Sequence, residues 1–231
     1  MIHTPTPPTV FVVDDDFGMQ DSLRELLESV QLSFRVFSSG QAFLNEVTPA
    51  HAGCVLLDIR MPGMSGLELY RRMVGRDILL PVIIITGHPD VRTAVQAMKA
   101  GAIDFLEKPF NDHVLLQRIN EAIERDTQNR KLRAEQEAVS HRLASLSPRE
   151  SEVLASIVEG KRNKLIASDL DINEKTVEAH RSHIMEKMAS HSAVDLVKKV
   201  IVHKYSTDGS LISKRPSERD VANLANVNSF V

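Results

Sequence analysis

Four places in this 231-residue sequence could do chemistry together: Asp14-Asp15-Asp16, Asp58, Thr86-Gly87 and Glu107-Lys108-Pro109. Each follows a short, largely apolar run. Three carboxylates gathered at one point repel unless a hard cation such as Mg²⁺ joins them through a couple of oxygens and several waters. A carboxylate is also a nucleophile toward phosphorus, and its attack produces an acyl phosphate. That transfer asks mainly for positioning and charge neutralisation, which a metal, a lysine and a hydroxyl supply. Three aspartates after one strand are as well explained by a solvated loop. Four strand ends delivering polar groups to one rim favour a site.

The elements that must deliver these groups are legible. Val10–Val13, Phe34–Phe37, Cys54–Leu57, Val82–Ile85 and Asp104–Leu106 read as five strands, three of them apolar enough to be buried on both faces of a parallel sheet. Helical patterns lie between them, with Leu23, Leu26, Leu27 and Val30, then Ala42, Phe43 and Val47, then Leu67, Leu69, Tyr70 and Met73, then Val91, Ala94, Val95 and Met98. A fifth helix starts near Asn111. This predicts an α/β doubly wound, five-stranded parallel sheet over residues 1–125, with its chemistry at the carboxyl ends of the strands. Cys54 reads as a small core side chain, Met73 and Met98 as core filler, and His88 beside Pro89 as a loop residue.

Residues 126–145 hold no glycine or proline and predict a helical linker. Ser147-Pro148-Arg149-Glu150 is a capping box with proline at the first helical position, opening a small four-helix all-α domain over 146–205. A helix over Asn163–Leu170, a turn at Asp171–Ile172 and a longer helix from Asn173 to Met188 form a helix-turn-helix candidate, and a last helix runs from Ser192 to His203. Residues 206–231 read as a polar, flexible tail in which Val221–Val227 could form a weak helix. On the longer helix, Val177, Ile184 and Met188 make a buried stripe, while Lys175, Glu178, Ala179 and Ser182 make a small polar surface that suits a DNA major groove. Lys161, Arg162, Lys164, Arg181 and Lys187 surround it and could neutralise phosphates, with Asn163 and Thr176 at the helix starts completing the expected DNA contacts. His180 and His183 have metal-ligand spacing, but no third ligand is evident, and a fold-supporting or phosphate-side role is expected.

Charge agrees with two modules. Residues 1–125 carry 11 basic and 16 acidic side chains, residues 126–231 carry 17 and 15. A single cysteine excludes a disulfide framework and a cysteine zinc site. The longest apolar stretch, Leu79 to Ile85, is far short of the roughly 18 residues of a membrane span, and Met1 to Thr9 has no secretory pattern. A cytoplasmic protein without a membrane partner is expected.

The segments PheValValAspAspAsp, LeuLeuAspIleArgMetProGlyMetSerGly, IleIleIleThrGlyHis and AspPheLeuGluLysProPhe resemble the receiver domain of two-component response regulators. The resemblance implies Asp58 as phosphoacceptor and Mg²⁺ held by Asp14, Asp15, Asp58 and the Arg60 backbone carbonyl. It implies Lys108 and Thr86 binding the phosphoryl group, Phe105 turning inward, and a cis Lys108–Pro109 bond. LeuSerProArgGluSerGluValLeu, GlyLysArgAsnLysLeuIleAlaSerAspLeu and ThrValGluAlaHisArgSerHisIleMetGluLysMet resemble the LuxR-type DNA-binding domain. The whole is similar to NarL/FixJ-type regulators, nearest the FixJ/StyR/TodT branch. By that resemblance it is a phosphorylation-dependent transcription regulator, expected to be an activator and not an enzyme. Its implied partners are a sensor histidine kinase, double-stranded operator DNA, a second copy of itself on phosphorylation, and RNA polymerase as a further candidate. Two other readings compete. An aspartyl-phosphate phosphatase usually has a carboxylate two residues after its nucleophile, where this chain has Arg60 followed by Met61. A regulator that no longer takes phosphate would not need Asp14, Asp15, Asp58, Thr86 and Lys108 all present.

Overall fold

The computed structural model describes residues 7–87 and 91–207. His88, Pro89 and the segment Val221–Val227 lie outside the described residues. The chain divides into two compact units, Met1–Lys131 and Leu132–Val231.

In the first unit the elements run β1 (Thr9–Val13), α1 (Phe17–Ser29), β2 (Phe34–Phe37), α2 (Gly40–Glu46), β3 (Gly53–Asp58), α3 (Gly66–Val74), β4 (Val82–Thr86), α4 (Val91–Ala100), β5 (Asp104–Glu107) and α5 (Asp112–Ala144). All strand pairs are parallel in the order β2-β1-β3-β4-β5. Successive side chains of a strand point to opposite faces, so the apolar runs feed two cores. Phe11, Val13, Val55, Leu57 and Ile84 pack with α2 and α3 through Phe43, Leu69 and Met73. Val10, Val12, Cys54, Leu56, Ile83 and Ile85 pack with α1 and α5 through Leu23, Leu27, Leu115 and Ile119. Cys54 is buried, and desolvation pushes its thiol up to about 12, so it stays a neutral core side chain. Met98 departs from expectation. It is 48% exposed because α4 meets the core through Ala97, and the next side chain is turned about 100° away around the helix.

β3 begins at Gly53 with φ +129°, and a Cβ there would sit 1.9 Å from the Thr9 carbonyl oxygen. Only glycine lets β3 start so close to β1. The Gly53 amide donates to Asp126 Oδ2 at 2.9 Å, and Arg130 Nε donates to the same oxygen at 2.7 Å. Arg130 also reaches the carbonyls of Pro49 and His51. Residues 126–130, expected at the start of a linker, are thus fastened to the first unit as part of α5.

The second unit holds the remainder of α5 with α6 (Pro148–Val158), α7 (Asn163–Asp169), α8 (Glu174–Lys187) and α9 (Ala193–Thr207). Both arms of the capping box at Ser147 and Glu150 are formed, and Asn173 caps α8. Val153, Leu154, Ile157, Ile166, Val177, Ile184, Met188, Leu196 and Val197 make its core, against which Val139, Leu143 and Leu146 pack.

Candidate functional site

The register sets Asp58 beside Ile85 and Thr86 beside Glu107, so the carboxyl ends of β1, β3, β4 and β5 share a rim. The Lys108 ammonium joins two of them. Its Nζ lies 2.6 Å from Asp14 Oδ2 and 3.0 Å from Asp58 Oδ1. The Arg60 amide holds the other Asp58 oxygen at 2.6 Å, and the Asp16 amide bonds Asp14 Oδ1 at 2.9 Å. Asp16 itself leaves the cluster to cap α1 by accepting from the Gly18 and Met19 amides. Burial pushes the Asp14 carboxyl above the usual range, against the hydrogen bonds from Lys108 and Asp16. Burial likewise works against the Lys108 ammonium, but the hydrogen bonds to Asp14 and Asp58 outweigh it and raise its pKa.

The other expected residues flank this ion triad. Asp15 is half-buried and Arg60 exposed. Thr86 is buried, and its carbonyl accepts the Lys108 amide at 2.8 Å. Phe105 is partly buried against the first core, and the Lys108–Pro109 bond is cis. Two further residues escaped the sequence reading. Gln20, buried on α1, donates from Nε2 to the Asp14 carbonyl at 2.6 Å. Its signal was a polar residue on the same helix face as Leu23 and Leu27. Gly66 opens α3 where a Cβ would lie 2.2 Å from the Asp58 carbonyl oxygen, and its amide bonds the Ile59 carbonyl at 2.9 Å. It fixes the backbone that follows Asp58.

Asp14, Asp15, Asp58 and the Arg60 carbonyl offer oxygen donors alone, the kind a hard divalent ion takes. Two carboxylates, Asp14 and Asp58, share one ammonium, so the rim keeps spare negative charge. Among the described residues no three His, Cys, Asp or Glu side chains are gathered as a ready metal cluster. Lys108 occupies the place between Asp14 and Asp58. The donor set therefore fits Mg²⁺ in chemistry and charge, in competition with Lys108.

In the second unit, Arg162, Lys164, Lys175, Glu178, Ala179 and Ser182 are exposed on α7 and α8, whereas Val177, Ile184 and Met188 are buried. Asn163 and Thr176 are half-buried, and Asn173 Oδ1 accepts from both the Thr176 amide at 2.7 Å and its hydroxyl at 2.9 Å. Arg181 is half-buried, and desolvation lowers its pKa. His180 is half-buried and His183 exposed. Lys161 bonds Asp169 at 2.8 Å and Glu159 at 3.1 Å. Lys187, expected among the phosphate contacts, is exposed, and its ammonium lies 2.7 Å from buried Glu150 Oε2, giving that carboxylate a counter-charge inside the unit.

No helix among the described residues is long and apolar enough to cross a membrane. Residues 10–120 match the response regulator receiver domain, and residues 144–200 match the bacterial regulatory proteins of the luxR family. The transcriptional regulatory protein FixJ of Bradyrhizobium diazoefficiens is 44% identical over 189 residues, 82% of this chain and 92% of that protein. The response regulator protein TodT of Pseudomonas putida is 41% identical over 189 residues, 82% of this chain and 83% of that one. Among solved structures, the response regulator StyR has a TM-score of 0.79 at 41% identity, covering 85% of this chain and 100% of that chain. Full-length FixJ from B. japonicum has a TM-score of 0.52 at 42% identity, covering 86% and 98%. The chain belongs to the two-component response regulators of the NarL/FixJ type, in which a receiver domain is coupled to a LuxR-type DNA-binding domain, and within them to the FixJ/StyR/TodT branch.

Proposed function

We propose that Asp58 takes a phosphoryl group from a sensor histidine kinase and that this gates operator binding by residues 146–205. The observation that carries the reading is the single Lys108 ammonium shared by Asp14 and Asp58. It is a cation already placed where negative charge must be neutralised. The Arg60 amide fixes one oxygen of Asp58 and leaves Oδ1, held by the movable lysine, as the nucleophile. The new Oδ1–P bond forms as the bond from phosphorus to the donor imidazole nitrogen breaks. Asp14, Asp15, Asp58 and the Arg60 carbonyl would hold Mg²⁺, which when bound neutralises the phosphoryl oxygens. Lys108 then pairs with the transferred group, the Thr86 hydroxyl hydrogen-bonds it, and Phe105 follows inward.

That movement remodels the face formed by α4, β5 and the first turns of α5, where Val91, Val95 and Met98 are exposed. A second copy binding there would produce a homodimer with two recognition helices. The outcome is a cytoplasmic activator that reads DNA with Glu178, Ala179 and Ser182 and contacts RNA polymerase. Self-catalysed turnover of the acyl phosphate is disfavoured because exposed Arg60 stands where a phosphatase keeps its acid–base carboxylate. The test is to select duplexes from a random pool with chain treated with a small phosphodonor and Mg²⁺, then compare affinities with and without the donor. Tighter binding after treatment, absent in Asp58→Asn, is expected. Equal affinity in both states would overturn the gating.

A further inference from the structure

The first turn of α6 carries two adjacent charged side chains that leave the helix toward different partners. Glu150 keeps only 6% of its side chain exposed, although it is an acid. Its Oε2 accepts from the Ser147 amide at 2.7 Å and from Lys187 Nζ, the last residue of α8, also at 2.7 Å. The same Nζ lies 3.4 Å from the Ser145 carbonyl. Arg149 turns the other way. One guanidinium nitrogen bonds the carbonyl of Leu170, the residue that ends α7, and another pairs with Glu152 at 2.7 Å. One turn of α6 therefore touches the C-terminal ends of both helices of the helix-turn-helix.

Apolar packing of Val153, Leu154 and Ile157 against Ile166, Val177 and Ile184 holds these helices together. That attraction is non-directional and tolerates small rotations. Hydrogen bonds to a buried carboxylate and to a helix-end carbonyl do not, and a buried charge stripped of its partner is costly. The Lys187 hydrogen bond, followed by that of the Ser147 amide, holds the Glu150 carboxyl down at about 2, so this carboxylate stays ionised at every physiological pH.

We infer that Arg149, Glu150 and Lys187 are positioning residues for DNA reading: they set α7 and α8 against α6, and Lys187 acts through Glu150 rather than on a phosphate. The inference rests on the proposed DNA contacts of α8. It makes an unusual demand of Glu150. Removing a negative charge near DNA strengthens binding if only long-range electrostatics matters. Removing a positioning carboxylate weakens it.

The experiment measures binding of the full chain to a selected duplex and to a mixed-sequence duplex across salt concentrations. The variants are Glu150→Gln, Lys187→Met, Lys187→Arg and the Glu150→Gln/Lys187→Met double, with helix content checked for each. Expected is about a tenfold weakening toward the selected duplex for Glu150→Gln and Lys187→Met, with a double variant no weaker than Lys187→Met. The slope of log affinity against log salt stays unchanged, and Lys187→Arg restores most of the affinity. A slope lower by about one for Lys187→Met, with tighter binding in Glu150→Gln, would mean that Lys187 contacts phosphate and would overturn the inference. Should Lys187→Met lose its helices, Glu150→Gln alone decides by the sign of its effect. A wild-type chain that binds neither duplex would sink the DNA reading itself.

Discussion

Replacing Lys108 with methionine removes the cation between Asp14 and Asp58 while keeping an unbranched side chain. The two carboxylate oxygens both lie within 3.0 Å of Nζ, so they are no more than about 6 Å apart. At an effective dielectric of about 20, that separation gives a repulsion of about 3 kcal/mol. Side-chain exposures of 15% for Lys108, 4% for Asp14 and 8% for Asp58 leave little room for solvent screening. The figure agrees with the roughly 3–5 kcal/mol lost when one partner of a buried pair is removed. Without divalent cation, amides of β1 and β3 that exchange through unfolding of the first unit should exchange about 100-fold faster. The Asp14→Asn/Lys108→Met double should recover most of that loss. The loss should also shrink as pH falls. Asp14 already titrates above its unfolded value, so protonation favours the native state, and losing Lys108 extends that window upward. Unchanged exchange in Lys108→Met, or strict additivity in the double, would refute the shared-cation reasoning.

Other outcomes follow from the same geometry. The Glu150 carboxyl is held at about 2, so its contribution to the second unit is complete above the unfolded value of about 4.5 and lost as pH falls toward 2. An acid melt of the wild type should therefore lose stability in that window, whereas Lys187→Met should show a smaller loss. Gly66→Ala forces the backbone away from the Asp58 carbonyl, and phosphoryl uptake at Asp58 should fall by about tenfold or more while the sheet persists in hydrogen exchange. Glu178→Ala should change base preference at one position by about 1–3 kcal/mol, read by selection from random duplexes. Lys164→Ala should instead weaken all duplexes and lower the salt slope by about one.

The sheet was readable because β1, β3 and β4 are continuously apolar, and a strand buried on both faces has no other economical pattern. The rim was readable for the same reason: polar residues that end such runs must emerge together in a parallel sheet. Lys108 bonding both Asp14 and Asp58 was not readable, because it depends on the strand order that brings residues 94 and 50 positions apart to one nitrogen. Gln20 and Gly66 act through backbone groups, which leave little mark on a side-chain pattern. Met98 misled because an apolar helix stripe does not say whether it faces a core or solvent. The pairing of Lys187 with Glu150 was not readable, because a charge count does not show which cation a buried carboxylate engages. The exposed groups of α8 were legible from the reverse of its buried stripe.

The most direct measurement is phosphoryl uptake by the intact chain, read by mass, from a small phosphodonor with Mg²⁺ and again with a chelator. One phosphoryl group should be added with Mg²⁺ and little without it. The label should map to the peptide carrying Asp58 and be released by hydroxylamine, as an acyl phosphate is. Asp58→Asn should take up none. Full labelling of Asp58→Asn, or a stable label on a hydroxyl side chain, would contradict the assignment of Asp58 as phosphoacceptor.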